Sequence, residues 1–180
     1  MGVTTIYRVG DKVVYPNHGV GVIEHISRRE VGESSQEFYL LKIEASNLKV
    51  MVPSGNAASV GLRPVTAPAE LAPILGYLQR AEAMASPSDW KWRFKENSDK
   101  MRHGELARVA EVLKSLVQLH QAKPLSFREK KMLDRAAMLL AGEMASAHNL
   151  SAEAAMALLQ QTLAKAELVL PALDTEEARG

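Results

Sequence analysis

Cysteine is absent from this chain of 180 residues. Disulfides, thiolate metal sites and cysteine nucleophiles are therefore excluded, which suits a reducing cytoplasm. Long apolar runs are absent as well. No stretch of about 18 apolar residues occurs and no apolar leader follows the first Met, so a secreted or membrane-spanning protein is not expected. Catalytic patterns are missing. The five His, at 18, 25, 103, 120 and 148, show no metal-ligand spacing. No phosphate-binding loop with a GKS/T ending and no G-x-S-x-G occurs. "HGVGVI" holds a G-x-G without a third glycine or a following helix, and it lies in a strand pattern, where a turn or bulge is the better reading. An enzyme is not expected, and neither a cofactor nor a small-molecule substrate is implied.

What is present divides into two textures. Residues 7–65 read as short strands broken by glycine: "KVVYP" (12–16), "NHGVGVIEHISRRE" (17–30), "QEFYLLKIE" (36–44) and "LKVMVP" (48–53). Strands of this length suggest a small, strongly bent antiparallel sheet, an SH3- or Tudor-like barrel. From Thr66 the pattern turns helical. Leu71, Ile74, Leu75 and Leu78 share a face, Ser88 is a candidate N-cap, and Gly104 is a stop. Leu106, Val109, Leu113, Leu116, Val117 and His120 recur at helical spacing. "SFRE" reads as a capping box, Ser126 with Glu129, opening a helix through Met132, Leu133, Ala136, Leu139, Leu140 and Met144 that ends at Asn149. Ser151 opens a last helix through Leu170, stopped near Pro171. The expected organisation is α+β: a β domain over 1–65, a helical bundle of four to five helices over 66–173, and a disordered tail over 174–180.

The net charge of +1 conceals a gradient. Residues 1–65 carry 7 Lys/Arg against 6 Asp/Glu, residues 91–135 carry 12 against 6, and residues 141–180 carry 2 against 6. A basic middle suggests an anionic partner, although a solvated helical face would give the same count. Both tryptophans of the chain fall in "DWKWRFKEN", beside Lys91, Arg93 and Lys95. Trp90 and Phe94 lie on one i, i+4 stripe, so the plain reading is that Phe94 anchors the helix with Trp90 beside it. Trp92 is about 200° round the helix from Trp90, so both rings cannot face one core. An exposed Trp among cations suits nucleic acid: cations take phosphates, and the ring wedges at a base step or caps an unstacked base. "FREKKMLDR" adds Arg128, Lys130, Lys131 and Arg135 at another helix start.

"YRVGDKVVYPNHGVGVIEHI", "FYLLKI", "VMVP", "SVGLR", "DWKWRFKEN", "ARVAEVLKSL" and "LSFREKKMLDRA" together resemble the CarD/CdnL family of bacterial transcription factors, in order and spacing, over about residues 7–165. The resemblance implies a Tudor-like domain that binds the RNA polymerase β subunit, and a helical domain that touches promoter DNA at the upstream edge of the transcription bubble. It implies stabilisation of the open complex of the housekeeping-sigma holoenzyme, notably at ribosomal RNA promoters, without catalysis. It places the protein in the cytoplasm, at the nucleoid through polymerase. By position, Trp90 matches the family's wedge, while Arg93, Lys95, Lys130, Lys131 and Arg135 match basic positions along the DNA. Arg29, Met51 and Pro53 match the polymerase-binding positions. Met51 and Trp92 depart from relatives that carry Arg there. The alternative reading is a general nucleic-acid-binding protein that works without polymerase. A modified-lysine reader would need an aromatic cage from Tyr15, Phe38 and Tyr39, but Phe38 and Tyr39 point to opposite faces of one strand.

Overall fold

The computed structural model of the chain describes residues 6–82 and 89–174. It divides into two compact units, Met1–Val65 and Thr66–Gly180.

The first unit is an antiparallel sheet of five strands: β1 Lys12–Tyr15, β2 Gly19–Val31, β3 Ser34–Ile43, β4 Lys49–Pro53 and β5 Arg63–Pro64, in the order β4-β3-β2-β1-β5. The sheet is of the small, bent, Tudor-like kind that the sequence pattern suggested. Asn17, at φ 66°, turns β1 into β2, and Gly32, at φ 65°, fills the two-residue connection between Val31 and Ser34. A bulge between Ile23 and His25 bends β2 midway. Gly21 is inside β2, not in a turn. A Cβ there would stand 3.0 Å from the Lys42 carbonyl oxygen, so the close approach of β3 demands glycine. The core gathers Tyr7, Val13, Ile23, Tyr39, Leu41, Val52, Ala57 and Leu62. Arg63 and Pro64, beyond the last strand that the sequence pattern marks, form the fifth strand. Val13 pairs with Pro64 and Val14 with Arg63.

The second unit holds five helices: α1 Pro68–Gln79, α2 Trp90–His103, α3 Leu106–Ala122, α4 Phe127–His148 and α5 Ala152–Ala164. Leu71, Leu78, Val109, Leu113, Leu116, Leu133, Leu140, Met144, Leu159 and Leu163 supply much of its core. Gly104 and Asn149 close α2 and α4 in the left-handed conformation. Two boundaries differ from the sequence reading. The N-cap of α2 is Asp89, whose carboxylate accepts from the Lys91 backbone N–H at 2.9 Å; Ser88 lies outside the described residues. α5 ends at Ala164, short of Leu170. Glu167 adopts φ 60°, and the Leu168 N–H returns to the Leu163 carbonyl at 3.0 Å. This closure lets the chain leave the helix while Leu168 and Leu170 still pack on the core. A glutamate in the left-handed region gives no breaker signal in sequence. His120 is exposed and belongs to no core face. Of the tail from residue 174, only Asp174 is described. Among the described residues no helix is long and apolar enough to cross a membrane.

Lys114 of α3 is fully buried. Its Nζ donates to the Tyr77 carbonyl in the last turn of α1 at 2.7 Å and lies 4.4 Å from the Tyr77 ring centroid. An ammonium at a helix C-terminus meets the negative end of the dipole. Burial, then the Arg80 guanidinium, lower the Lys114 pKa, while burial and the Glu111 carboxylate push the Tyr77 hydroxyl up to about 12.

Candidate functional site

In the helical unit, Trp90 is the first residue of α2 and is 51% exposed; Trp92 is 64% exposed. The buried stripe of this helix is Arg93, Asn97 and Met101. Trp90 therefore does not pack with Phe94 as a core pair, and Phe94 is only partly buried. Lys91 lies over the Trp90 ring at 5.9 Å and Lys95 over the Trp92 ring at 5.5 Å. Each indole thus carries a cation of its own helix beside it.

Arg93 is the clearest departure from the sequence reading. Its side chain is 5% exposed, and both Nε and Nη2 donate to Glu129 Oε1 at 2.7 Å. It ties α2 to α4 and does not face outward toward a phosphate. Glu129 serves twice. Its other oxygen accepts from the Ser126 N–H and hydroxyl at 3.4 and 3.3 Å, and its own N–H donates to Ser126 Oγ at 3.2 Å. The capping box that opens α4 is therefore also the anchor of α2. Arg128 lies 6.0 Å from the Phe94 ring centroid, so the first turns of the two helices abut.

This pairing changes the meaning of the basic middle. Arg93 and Lys114 are buried. Lys100 meets Glu96 and Glu111, Arg102 meets Asp99, and Arg108 reaches Glu105 and Glu111. Glu129 is taken by Arg93, and Asp134 is buried and accepts from the Asp174 N–H at 3.4 Å. All six carboxylates of residues 91–135 are thus engaged within the unit. The outward positive charge concentrates at the two abutting helix starts, on Lys91, Lys95, Arg128, Lys130 and Lys131, with Lys123 just before α4, all exposed. Arg135 sits two turns into α4 and is half-buried. Phe127, the first residue of α4, is 68% exposed with Lys131 Nζ 4.5 Å from its ring centroid. Nothing in the sequence marks it, because an aromatic after a capping serine can equally face a core.

In the β unit the register brings the other three candidates together. Met51 pairs with Leu40 and Leu40 with His25; Pro53 pairs with Phe38 and Phe38 with Ser27. Paired residues share a face, and so do residues two apart in a strand. Arg29, Met51 and Pro53 therefore lie on one face, opposite the one on which Tyr39 and Val52 enter the core. Arg29 is exposed, Met51 is 41% exposed and Pro53 is half-buried. β4 ends the strand order, so the sheet places Met51 and Pro53 on an edge. Tyr39 is 2% exposed, with its ring 5.7 Å from Tyr7 in the core. It cannot join a surface cage.

Comparison with known proteins divides the chain at the same place. Residues 7–66 match the CarD-like/TRCF RID domain, and residues 74–160 match the CarD C-terminal domain. A protein of Bacillus subtilis (strain 168) named "Putative transcription factor YdeB" is 38% identical over 139 residues, covering 77% of this chain and 90% of that protein. Domain matches in this order, together with that identity across nearly the whole relative, place the chain in the CarD-like family of transcription factors, which is not a family of enzymes.

Proposed function

We propose that this transcription factor holds RNA polymerase with the β unit and promoter DNA with the helical unit, and so prolongs the life of the open complex. The carrying observation is the half-exposed Trp90 at the meeting of two basic helix starts whose acidic neighbours are all engaged elsewhere. The polymerase partner is the β subunit of the housekeeping holoenzyme. Arg29, Met51 and Pro53, on one sheet face beside an edge strand, make that contact. Met51 contributes an apolar contact in place of a charge. Trp90 enters the minor groove at the upstream edge of the melted region, and Lys95, Lys130, Lys131 and Arg135 lie along the backbone. Arg93 is omitted from this set because its guanidinium belongs to Glu129.

The mechanism is differential binding. A ring that fits only separated strands binds the open state better, and only that difference moves a closed–open equilibrium. Tethering by the β unit raises the effective concentration of the ring at the fork, so each contact can be weak alone. About 1.4 kcal/mol of preference gives a tenfold longer lifetime. Ribosomal RNA promoters, whose open complexes limit their output, are the targets this mechanism suits. Minor-groove wedging reads shape and deformability, so no strict base sequence is required.

Retention by immobilised polymerase β subunit tests the tether. Arg29→Glu combined with Pro53→Ala should weaken it about tenfold or more while leaving binding to isolated forked DNA unchanged. No retention of the unaltered chain would favour a protein that binds nucleic acid without polymerase, and retention that survives both changes would move the contact away from Arg29 and Pro53.

A further inference from the structure

Phe127 is the most exposed aromatic of the helical unit, and it has no counterpart role in the wedge. It starts α4 beside Arg128, Lys130 and Lys131. The one acidic side chain of that turn, Glu129, is turned inward and held by Arg93 at 2.7 Å. What the turn presents outward is thus an apolar ring among cations. The same ion pair joins this turn to α2 one helical turn after Trp90. Lys131 Nζ, 4.5 Å from the ring centroid, favours one ring position and leaves the rest of its surface in solvent. An exposed ring gains by stacking on the flat face of an unpaired base, and flanking cations draw the adjoining phosphates.

We infer that Phe127 is a second aromatic contact of the open fork, stacking on an unpaired base of one separated strand while Trp90 occupies the junction. The inference rests on the proposed function and adds to it a second point of contact, on a different helix. Two rings on two helices, fixed by one buried ion pair, would distinguish separated strands from duplex more sharply than one ring alone. A closed duplex offers no free base face at the second point.

The full chain with polymerase holoenzyme and a promoter fragment provides the test. One variant carries the photocrosslinker p-benzoylphenylalanine in place of Phe127, and a second carries it in place of Trp90. Position 127 should crosslink to a single strand at the upstream edge of the bubble, and only at temperatures where the promoter melts. Phe127→Ala should shorten the open-complex lifetime about fivefold with an unchanged melting temperature, and Phe127→Trp should restore it. Crosslinks from position 90 with none from 127, or crosslinks from 127 only to polymerase or to closed duplex, would overturn the inference and leave the proposed function standing. An unchanged lifetime in Phe127→Ala would overturn it equally. Absence of DNA crosslinks from both positions would overturn the proposed function and the inference together.

Discussion

In the β unit, Arg29, Met51 and Pro53 reach one surface because strand side chains alternate and three strands stay in register. In the helical unit, the start of α2 and the start of α4 meet because Arg93 and Glu129, 36 residues apart, form a buried ion pair. The first surface is written in local periodicity. The second depends on one long-range contact, and the residue that makes it looks like part of the surface it supports. A basic count along the sequence therefore overstates what faces a partner, since it adds the clamp to the residues the clamp positions.

The sharpest way to break this contrast is Arg93→Ala. It leaves the Glu129 carboxylate buried without its ion partner, which costs about 3–5 kcal/mol. Both tryptophans lie in the helical unit, so their fluorescence follows unfolding of that unit alone. The midpoint in denaturant should fall strongly. Pairing Arg93→Met with Glu129→Leu should recover part of the loss, because no buried charge is then stranded, while the Ser126 N–H still loses its carboxylate acceptor. A drop below about 0.5 kcal/mol for Arg93→Ala, typical of surface changes, would return Arg93 to the surface.

The β unit has its own critical position, and it is steric. Gly21→Ala sets a Cβ 3.0 Å from the Lys42 carbonyl oxygen and 3.2 Å from Ile43 Cδ1. A loss of about 1–3 kcal/mol is expected, confined to the β unit. Amide exchange should quicken in β1–β3; unaltered exchange there would contradict the steric reading of Gly21.

The smallest expected effect is a pH dependence carried by Tyr77. Its folded pKa lies above the unfolded value of 10.0, at about 12. A raised pKa stabilises fully below pH 10 and loses that stabilisation as pH rises toward 12. The depressed Lys114 works with the opposite sign, since folding bears less cost as the buried ammonium loses its proton on the way up to 10.5. Tyr77→Phe should flatten the alkaline loss of helical-unit stability between pH 10 and 12. An unaltered profile would show that other groups govern it.

These contrasts also show what the sequence could and could not say. The hairpins, the capping box at Ser126 and the stops at Gly104 and Asn149 were legible, because each is a local device with its own residue type. β5 was missed because its two residues pair with β1, fifty positions earlier, and carry no period of their own. The end of α5 was missed because glutamate holds the left-handed position that glycine would have announced. Trp90 and Trp92 were singled out by helical geometry and family resemblance. The burial of Arg93 and the exposure of Phe127 are illegible in the sequence for one reason. Whether a charged or aromatic residue faces inward depends on a partner, and Glu129 is distant in sequence. The motifs that carry the family resemblance hold both members of the pair without showing that they touch.

The lifetime of the open complex with Trp90→Ala tests the central claim most directly. A half-exposed ring at the first position of α2 supports little packing, so the variant should keep its melting temperature within about 2–4 °C, a change of order 1 kcal/mol or less. On a ribosomal promoter with holoenzyme, it should bind polymerase normally yet shorten the lifetime about tenfold relative to the unaltered chain. A wild-type lifetime from a fully folded Trp90→Ala protein would contradict the account.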